Sequence, residues 1–283
     1  MEYVEKHITW KVMPKETVTL MPIGDAQVGA EASDIARLKT HMEWGFHTKH
    51  AMFLGMGDYV DMASPSNRRI LKAASLYDTV TEALQAKANE DIQTFHSATG
   101  YTKGAWLGLL QGHHYMDMAD GTTSDMRIAE DLHAPFLGDC ALVRIIFDKH
   151  KDADGLPVKA DIWCHHGRGS GTAVASPINS LEKIARGFDA DIYLMGHQHK
   201  KIAAPIDEIY YSRSGRMLHH TKVLACTGSF LKGYLANSTS EGRAGGTYVE
   251  KGMMTPVSLG GIVIELGIVK EEYGDRLDIN VSL

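Results

Sequence analysis

The chain has 283 residues and a formal net charge of −6, with 44% apolar and 23% charged residues. This composition is typical of a soluble globular protein, and the acidic balance disfavours sequence-independent attraction to nucleic acid, which needs a basic surface. No apolar run approaches the ~20 residues that span a bilayer, and residues 1–6 lack the basic and apolar parts of a secretion signal. Three cysteines inside apolar runs fit buried thiols in a reducing compartment. We therefore predict a cytoplasmic protein that does not enter a membrane, with residues 1–283 forming one domain.

The first part of the chain alternates strand-like apolar runs with helical patterns. Apolar residues three or four apart predict helices at about residues 35–46 and 75–97. Continuous apolar runs predict strands at residues 17–23, 51–56 and 105–110. Each of these strands leads into a short polar segment: Gly24-Asp25-Ala26-Gln27, Gly57-Asp58-Tyr59-Val60-Asp61 and Gly112-His113-His114.

The second part begins in the same way and then changes. Strands are predicted at 139–148, 161–164 and 191–195, with a helix at 177–186 for which Ser176 would be the N-cap. Two of these strands lead into His165-His166-Gly167 and Gly196-His197-Gln198-His199. After about residue 204 the helical period disappears, and strands are predicted at 205–213, 217–229, 257–267 and 276–282. Alternating strands and helices followed by strands indicate an α/β fold with mixed sheets, in which ligands collect beyond the strand ends.

The polar segments have the chemistry of a two-metal site. Carboxylates and imidazoles bind divalent ions, and both types are present in Asp25, Asp58, His165, His197 and His199. Two ions ~4 Å apart can hold a phosphate and generate a hydroxide for in-line attack. Hydrolysis also needs an acid for the leaving oxygen, and histidine suits this role because its pKa is near neutral.

In this order, the five motifs resemble those of the calcineurin-like metallophosphoesterase family, whose pattern is D-x-H, G-D-x-x-D, G-N-H, a later His and G-H-x-H. The resemblance covers about residues 25–199, and Gly245-Gly246-Thr247-Tyr248 is similar to phage-encoded members. It implies an α/β fold, namely a four-layer αββα sandwich of two mixed β-sheets flanked by helices. The metals would lie at the carboxyl ends of the strands, and residues 205–283 would complete the second sheet.

The resemblance also implies a role for each motif residue. Asp58 would bridge two ligand sets, which are Asp25, Gln27, Asp58 and His199 for one metal, and Asp58, His113, His165 and His197 for the other. His114 would donate a proton to the leaving group, and Asp61 would orient its ring.

Two positions depart from the family pattern. Gln27 stands where the family has His, and His113 stands where it has Asn, so an imidazole moves from the first set to the second. The oxygen-rich first set is expected to bind manganese(II) or magnesium(II) more weakly. The imidazole-rich second set is expected to fill first, with zinc, iron or manganese. We expect two divalent ions in total, with manganese preferred.

Four further residues are candidates for contact with the substrate. His165 is favoured over His166 as the ligand, because it is the first residue after the predicted strand. Neighbours on a strand point to opposite faces, so His166 would lie behind the ligands or face the substrate. Arg68 and Arg69 would either clamp a phosphate or begin a solvated helix. Arg168 is a further phosphate candidate, in a glycine-rich loop that otherwise flanks the site.

The expected activity is hydrolysis of a phosphodiester, either nucleic acid or nucleotide-like, by a metal-bridging hydroxide with His114 as general acid. The diester is favoured by resemblance to single-domain relatives, some of which are nucleases. A phosphomonoesterase, including a protein phosphatase, and an inactive metal-binding scaffold are the competing hypotheses. Met62 stands where the family's protein phosphatases have Arg, which disfavours a protein phosphatase. A phage-encoded protein would act in the host cytoplasm.

Overall fold

The computed structural model describes residues 1–8, 16–74, 76–147, 157–169, 171–212, 215–237, 239–240, 243–244, 246–271 and 274–283. Four residues of predicted segments lie outside the described residues. They are residue 75, which begins a predicted helix, residues 148 and 213, which end two predicted strands, and Gly245 of the phage-like segment.

Helices and strands alternate through most of the chain. In chain order they are β1 (Glu2–Ile8), β2 (Thr17–Ile23), α1 (Ile35–His47), β3 (Ala51–Gly55), α2 (Pro65–Ala73), α3 (Asp78–Thr99), β4 (Trp106–Leu110), α4 (Ser124–Asp131), β5 (Phe136–Gly138), β6 (Cys140–Phe147), β7 (Val158–His165), α5 (Ser176–Ala185), β8 (Ile192–Met195), β9 (Lys201–Tyr211), β10 (Met217–Ser229), β11 (Thr239–Ser240), β12 (Arg243–Ala244), α6 (Tyr248–Lys251), β13 (Gly260–Gly261), β14 (Val263–Glu271) and β15 (Gly274–Ser282).

Most of these strands form two mixed sheets. The first has the order β1-β6-β7-β8-β10-β13, with β9 paired to β10, and β7, β8 and β10 run parallel. The second has the order β15-β14-β2-β3-β4-β5, in which β2 to β5 run parallel and β14 pairs antiparallel with β2. The parallel strands of both sheets are the ones that lead into the polar segments.

The two sheets face each other across one apolar cluster, and helices cover their outer faces. Leu20 and Leu54 of the second sheet pack in this cluster with Val143 and Ile162 of the first. A second cluster joins the second sheet to α1, α3 and α4, and a third joins the first sheet to α5. The predicted four-layer αββα sandwich is therefore confirmed.

The structure differs from the sequence prediction at several elements. Strand β1 and helix α4 were not predicted, and α2 was predicted only as the solvated helix that was one alternative for Arg68 and Arg69. Both β1 and α2 are largely solvent-exposed and carry little apolar periodicity. Helix α5 has Ala175 rather than Ser176 at its N-cap, and Ser176 is already helical. Cys164 and Cys226 are buried free thiols, and Cys140 is a half-buried one. Among the described helices, none combines the length and hydropathy needed to cross a bilayer.

Leu54 tests how far the sandwich depends on the inter-sheet cluster. Its side chain is fully buried in that cluster, whereas Ile70 on α2 is 65% exposed. We predict that Leu54→Ala lowers the free energy of unfolding by ~2–5 kcal/mol, because it leaves a cavity that the sheets cannot close. Ile70→Ala is the control and should change it by less than ~0.5 kcal/mol. Urea denaturation measures both, and equal losses would contradict the prediction.

Candidate metal centre

The polar segments after β2, β3, β4, β7 and β8 meet where the carboxyl ends of the two sheets come together. Backbone hydrogen bonds tie the segments to one another. Asp25 N donates to Gly57 O at 2.9 Å, and Gly196 N donates to His166 O at 2.9 Å. The chain after β10 also reaches the site, because Phe230 N donates to Asp25 O at 3.0 Å. The sandwich therefore brings the motifs of both halves to one place.

Two buried carboxylates form the centre of the site, and each uses its two oxygens differently. Asp25 Oδ2 accepts from His197 N at 3.0 Å, and Asp58 Oδ1 accepts from His113 N at 2.5 Å and His114 N at 2.9 Å. The other oxygens, Asp25 Oδ1 and Asp58 Oδ2, are buried without a hydrogen-bond partner among the described residues. A buried carboxylate oxygen without a donor is costly unless a cation faces it.

Three imidazoles surround the Asp58 carboxylate. His113 Nδ1 lies 3.2 Å from His197 Nδ1, and the ring of His113 packs edge-on against His166. His166 Nε2 lies 3.2 Å from Asp58 Oδ2 and has no hydrogen-bond partner within the described part of the chain. Ligand atoms of His113, His166 and His197 lie within 4.8 Å of one another, as do those of Asp25, Asp58 and His166. His166 therefore belongs to both groups.

His166 takes the place in the ligand group that was predicted for His165. The His166 side chain is 1% exposed, and its Nδ1 lies 2.7 Å from Met56 O, which fixes the ring with Nε2 toward the carboxylates. His165 ends strand β7 and points away from this group. Its Nδ1 accepts from Gly167 N at 2.7 Å, and its ring stacks on Trp163. The two neighbours do point to opposite faces, but the predicted assignment of faces was wrong.

Gln27 and His199 lie on the Asp25 side of the site. His199 Nε2 is 3.1 Å from Asp25 Oδ1 and 3.5 Å from Gln27 Nε2, and all three residues are buried. The predicted oxygen-rich group is therefore brought together next to the imidazole-rich one.

The electrostatics of the site favour cation binding. Burial alone would raise the pKa of Asp58. The neighbouring His166 and His114 nevertheless hold this pKa well below its ordinary value, so the carboxylate is ionised. Burial lowers the pKa of His113 to about 4, aided by neighbouring imidazoles, and burial beside His166 also lowers the pKa of His197. These two rings are therefore neutral and keep a lone pair for a metal. Burial would also lower the pKa of His166. The carboxylates of Asp58 and Asp25 instead raise this pKa to about 9, which indicates a strongly negative electrostatic potential at the ring.

His114 and Asp61 form a separate pair beside the carboxylates. Their Nδ1 and Oδ1 atoms are 2.6 Å apart, and both side chains are about one-third exposed, at 30% and 33%. Burial alone would lower the pKa of His114. The hydrogen bond to Asp61 and the nearby Asp58 carboxylate outweigh burial and raise this pKa. A partly exposed, oriented imidazole that binds a proton more firmly than usual suits a proton donor.

The backbone at the candidate ligands is held in a conformation that side chains rarely adopt. Positive φ angles occur at five of them, which are Asp25 (49°), Gln27 (43°), Asp58 (53°), His197 (65°) and His199 (51°). Each such residue costs ~1–3 kcal/mol, and such costs cluster at functional sites. Gly112 completes the cradle, since a Cβ there would collide with the backbone N and the carboxylate of Asp58.

Arg68 holds the His113–His114 segment in place. It is buried, and its Nη1 donates to Ala63 O, to His113 O (2.5 Å) and to Tyr115 O (3.1 Å). Its guanidinium also stacks 3.6 Å above the Tyr115 ring. Arg68 is therefore engaged by the loop rather than open to a phosphate.

Asp125 on α4 supports the same segment from the other side. It accepts from Gly112 N at 2.8 Å, and burial raises the pKa of its carboxyl to about 6. No sequence motif indicates this role or the structural role of Arg68. Both depend on contacts with chain segments that no local pattern specifies.

The other substrate candidates lie outside the buried group. Arg69 is exposed on α2, next to the buried Arg68. Arg168 is exposed in the segment after His166, and its carbonyl accepts from Gln198 Nε2 at 3.4 Å. No described contact brings either guanidinium to the carboxylates.

A scan against protein-family models and a search of curated proteins found no match to this sequence. Solved structures match at low identity. Vacuolar Protein Sorting 29 from Cryptosporidium parvum is 11% identical, covers 94% of this chain and 98% of its own, and has a TM-score of 0.33. A predicted phosphoesterase from Streptococcus pneumoniae is 10% identical over 94% and 99%, with a TM-score of 0.32. The NAD nucleotidase of Haemophilus influenzae is 11% identical over 94% and 49%, with a TM-score of 0.40. Since each of these TM-scores is below 0.5, the likenesses do not identify a family or an activity.

The neighbouring histidines after β7 provide a matched test of the metal centre. His166→Ala removes an imidazole shared by both groups of ligand atoms, so we predict at least the ~10–100-fold loss of manganese affinity that even outer-shell changes cause. His165→Ala removes a ring outside the group and should leave affinity unchanged. Calorimetric titration with manganese(II) measures both variants. A larger loss for His165→Ala would contradict the assignment.

Arg68 and Arg69 provide a second matched pair. Arg68→Ala leaves buried carbonyls without a donor, so we predict that it lowers the free energy of unfolding by at least ~1–3 kcal/mol. Arg69→Ala changes an exposed side chain and should alter it by less than ~0.5 kcal/mol. Thermal and urea unfolding measure the free energy of unfolding of both variants. If the two variants were equally stable, the guanidinium would not be holding the loop.

Proposed function

We propose that the protein is a phosphoesterase that binds two divalent metal ions and hydrolyses a phosphodiester. One observation carries the proposal: two buried carboxylates each direct one oxygen without a hydrogen-bond partner toward imidazoles at 3.1–3.2 Å, with a proton-donor pair beside them. The donor set of carboxylates, imidazoles and one amide fits divalent ions, and the buried negative charge needs a cation.

The ligand sets follow from the sequence expectation with one exchange. Asp25, Gln27, Asp58 and His199 would hold one ion, and Asp58, His113, His166 and His197 would hold the other. This exchange keeps three imidazoles in the second set, so we still expect it to bind more tightly than the oxygen-rich first set. Manganese suits both sets; zinc and iron suit the second, and magnesium the first.

The side chains of the chain itself supply the rest of the chemistry. When bound, two divalent ions supply Lewis acidity that polarises a phosphoryl group and activates water. Asp61 accepts a hydrogen bond from His114 Nδ1 and so fixes the tautomer of the ring. His114 Nε2 is then left to donate a proton to the leaving oxygen. The carboxylates are held rigid by backbone N–H donors, so the ligands are preorganised for their ions.

A diester is proposed as the substrate, in preference to a monoester, and a nucleotide-like molecule fits the resemblance to single-domain phosphoesterases. The hypothesis of an inactive scaffold leaves one feature without a role. His114 and Asp61 form a 2.6 Å pair that is not part of either ligand group. An inactive metal-binding protein has no need of this pair.

Turnover of two aryl esters tests the proposal. We predict that the manganese-loaded protein hydrolyses bis(4-nitrophenyl) phosphate faster than 4-nitrophenyl phosphate. His114→Ala should lower kcat by ~10²–10⁴-fold with an alkyl leaving group, because that group needs a proton. The loss should be smaller with 4-nitrophenolate, which leaves without one. His219→Ala, whose side chain is 62% exposed on β10, is the control and should keep full activity.

The results separate the competing hypotheses. Absence of turnover with both esters would exclude an enzyme of this kind. Hydrolysis of the monoester alone would exclude the diesterase. An equal effect of His114→Ala on both kinds of leaving group would exclude His114 as the acid.

A further inference from the structure

A cavity of about 370 Å³ opens directly beside the candidate metal centre. Its lining includes His197 and His199, the glycines Gly169 and Gly171, and a wall formed by residues of the 249–257 segment. Its volume lies within the range of small-molecule sites. A group that fills it would therefore touch the residues that hold the metals.

The 249–257 wall is apolar and firmly attached. It contributes Val249, Met253, Met254, Pro256 and Val257 to the cavity. Tyr234 Oη donates to Met254 O at 2.8 Å, and Met254 N donates to Val249 O at 3.0 Å. Ser258 N reaches His199 O at 3.4 Å, so the end of this wall is joined to a candidate ligand. The wall is thus a built surface.

Met253 differs from the rest of this wall. Its side chain is 90% exposed, and its φ of 50° is unusual for a bulky residue. Most other non-glycine residues with positive φ in the described chain are Asp, Asn or His, which tolerate this conformation more readily. A strained turn that presents an apolar side chain to solvent at the mouth of a cavity fits contact with a ligand. Methionine is flexible and makes favourable contacts with aromatic rings.

The glycines of the lining leave the backbone accessible at Gly169. Gly169 has a φ of 85° and open space on the side where a Cβ would project, whereas a Cβ at Gly171 would collide with Ser176. Lys200 Nζ donates to Gly171 O at 2.7 Å and to Ala173 O at 2.6 Å, which ties this part of the lining to the segment after His199. The Lys200 ammonium is thereby engaged by carbonyls and is not the main feature of the cavity.

A second, smaller cavity of about 230 Å³ also adjoins the site. Gln27 and Asp61 line it, so it adjoins the His114–Asp61 pair. Because the acid must face the leaving oxygen, the leaving group lies toward this cavity. With the leaving group there, the group retained on phosphorus would be free to occupy the cavity lined by His197 and His199.

We propose that the Met253-lined cavity binds a planar aromatic substituent that remains on the phosphorus, such as the base of a nucleotide. The proposal rests on the proposed phosphodiesterase function and adds the substrate class to it. The ring would pack between Met253 and Met254 on one side and the glycine backbone on the other. Diesters with an aromatic retained group are then preferred over those with a small alkyl group.

Two diesters with the same leaving group test this preference. Both bis(4-nitrophenyl) phosphate and methyl 4-nitrophenyl phosphate release 4-nitrophenolate, but they retain an aryl and a methyl group respectively. We expect Met253→Ala to lower kcat/KM for the aryl diester by ~3–10-fold, chiefly through KM, and to leave the methyl diester unchanged. Met217→Ala, 65% exposed on β10 and away from the cavity, is the matched control and should affect neither. Equal effects of Met253→Ala on both diesters, or none, would overturn the proposal.

A binding measurement separates this proposal from the proposed function. Phenyl phosphate and methyl phosphate are titrated calorimetrically into the manganese-loaded protein. Tighter binding of phenyl phosphate that is lost in Met253→Ala supports the aromatic subsite, even if neither diester is hydrolysed and the enzyme proposal fails. Equal binding of the two phosphates in the wild type overturns the subsite, even if both diesters are hydrolysed.

Discussion

The structure depends on two carboxylates that are buried together. Asp25 and Asp58 leave no surface for water, and each has one oxygen held by backbone N–H groups of another segment. The Asp25 bond joins a loop of the second sheet to a loop of the first, and the Asp58 bond joins two loops of the second sheet. The same carboxylates therefore help to assemble the site. The surrounding imidazoles, the glycine at position 112 and the bonds of Arg68 and Asp125 all serve to keep this arrangement in place.

The site exists only when the sandwich is closed. Asp25, Asp58 and His113 follow strands of the second sheet, whereas His166, His197 and His199 follow strands of the first. Leu54 and its neighbours between the sheets therefore set the distance between the candidate ligands of one sheet and those of the other, which links core packing to the site. Because ligand binding favours the folded state, ions that bridge the sheets would stabilise the packing in return.

Buried parallel strands were predictable because they are continuous apolar runs, and the structure brings the motifs after them to one place. Exposed elements such as β1 and α2 left no such pattern. The choice between His165 and His166 depends on where β7 ends relative to its pleat, and a shift of one residue reverses the faces. The roles of Arg68 and Asp125 depend on contacts with segments 45 and 13 positions away, which no local pattern records. The proposed aromatic subsite could not be predicted from the sequence, because residues 249–257, which line it, are far from any motif along the chain.

The left-handed backbone at the ligands also limits how the site can change during evolution. At Asp25, Gln27, Asp58, His197 and His199 the chain has φ between 43° and 65°. Glycine, asparagine, aspartate and histidine tolerate this conformation most readily, whereas β-branched residues do not. The permitted replacements are therefore mostly other metal-binding or small residues. An exchange between glutamine and histidine at position 27 would replace an amide by an imidazole and so change the metal preference of the proposed site. Such a centre can drift between ions without first losing its fold.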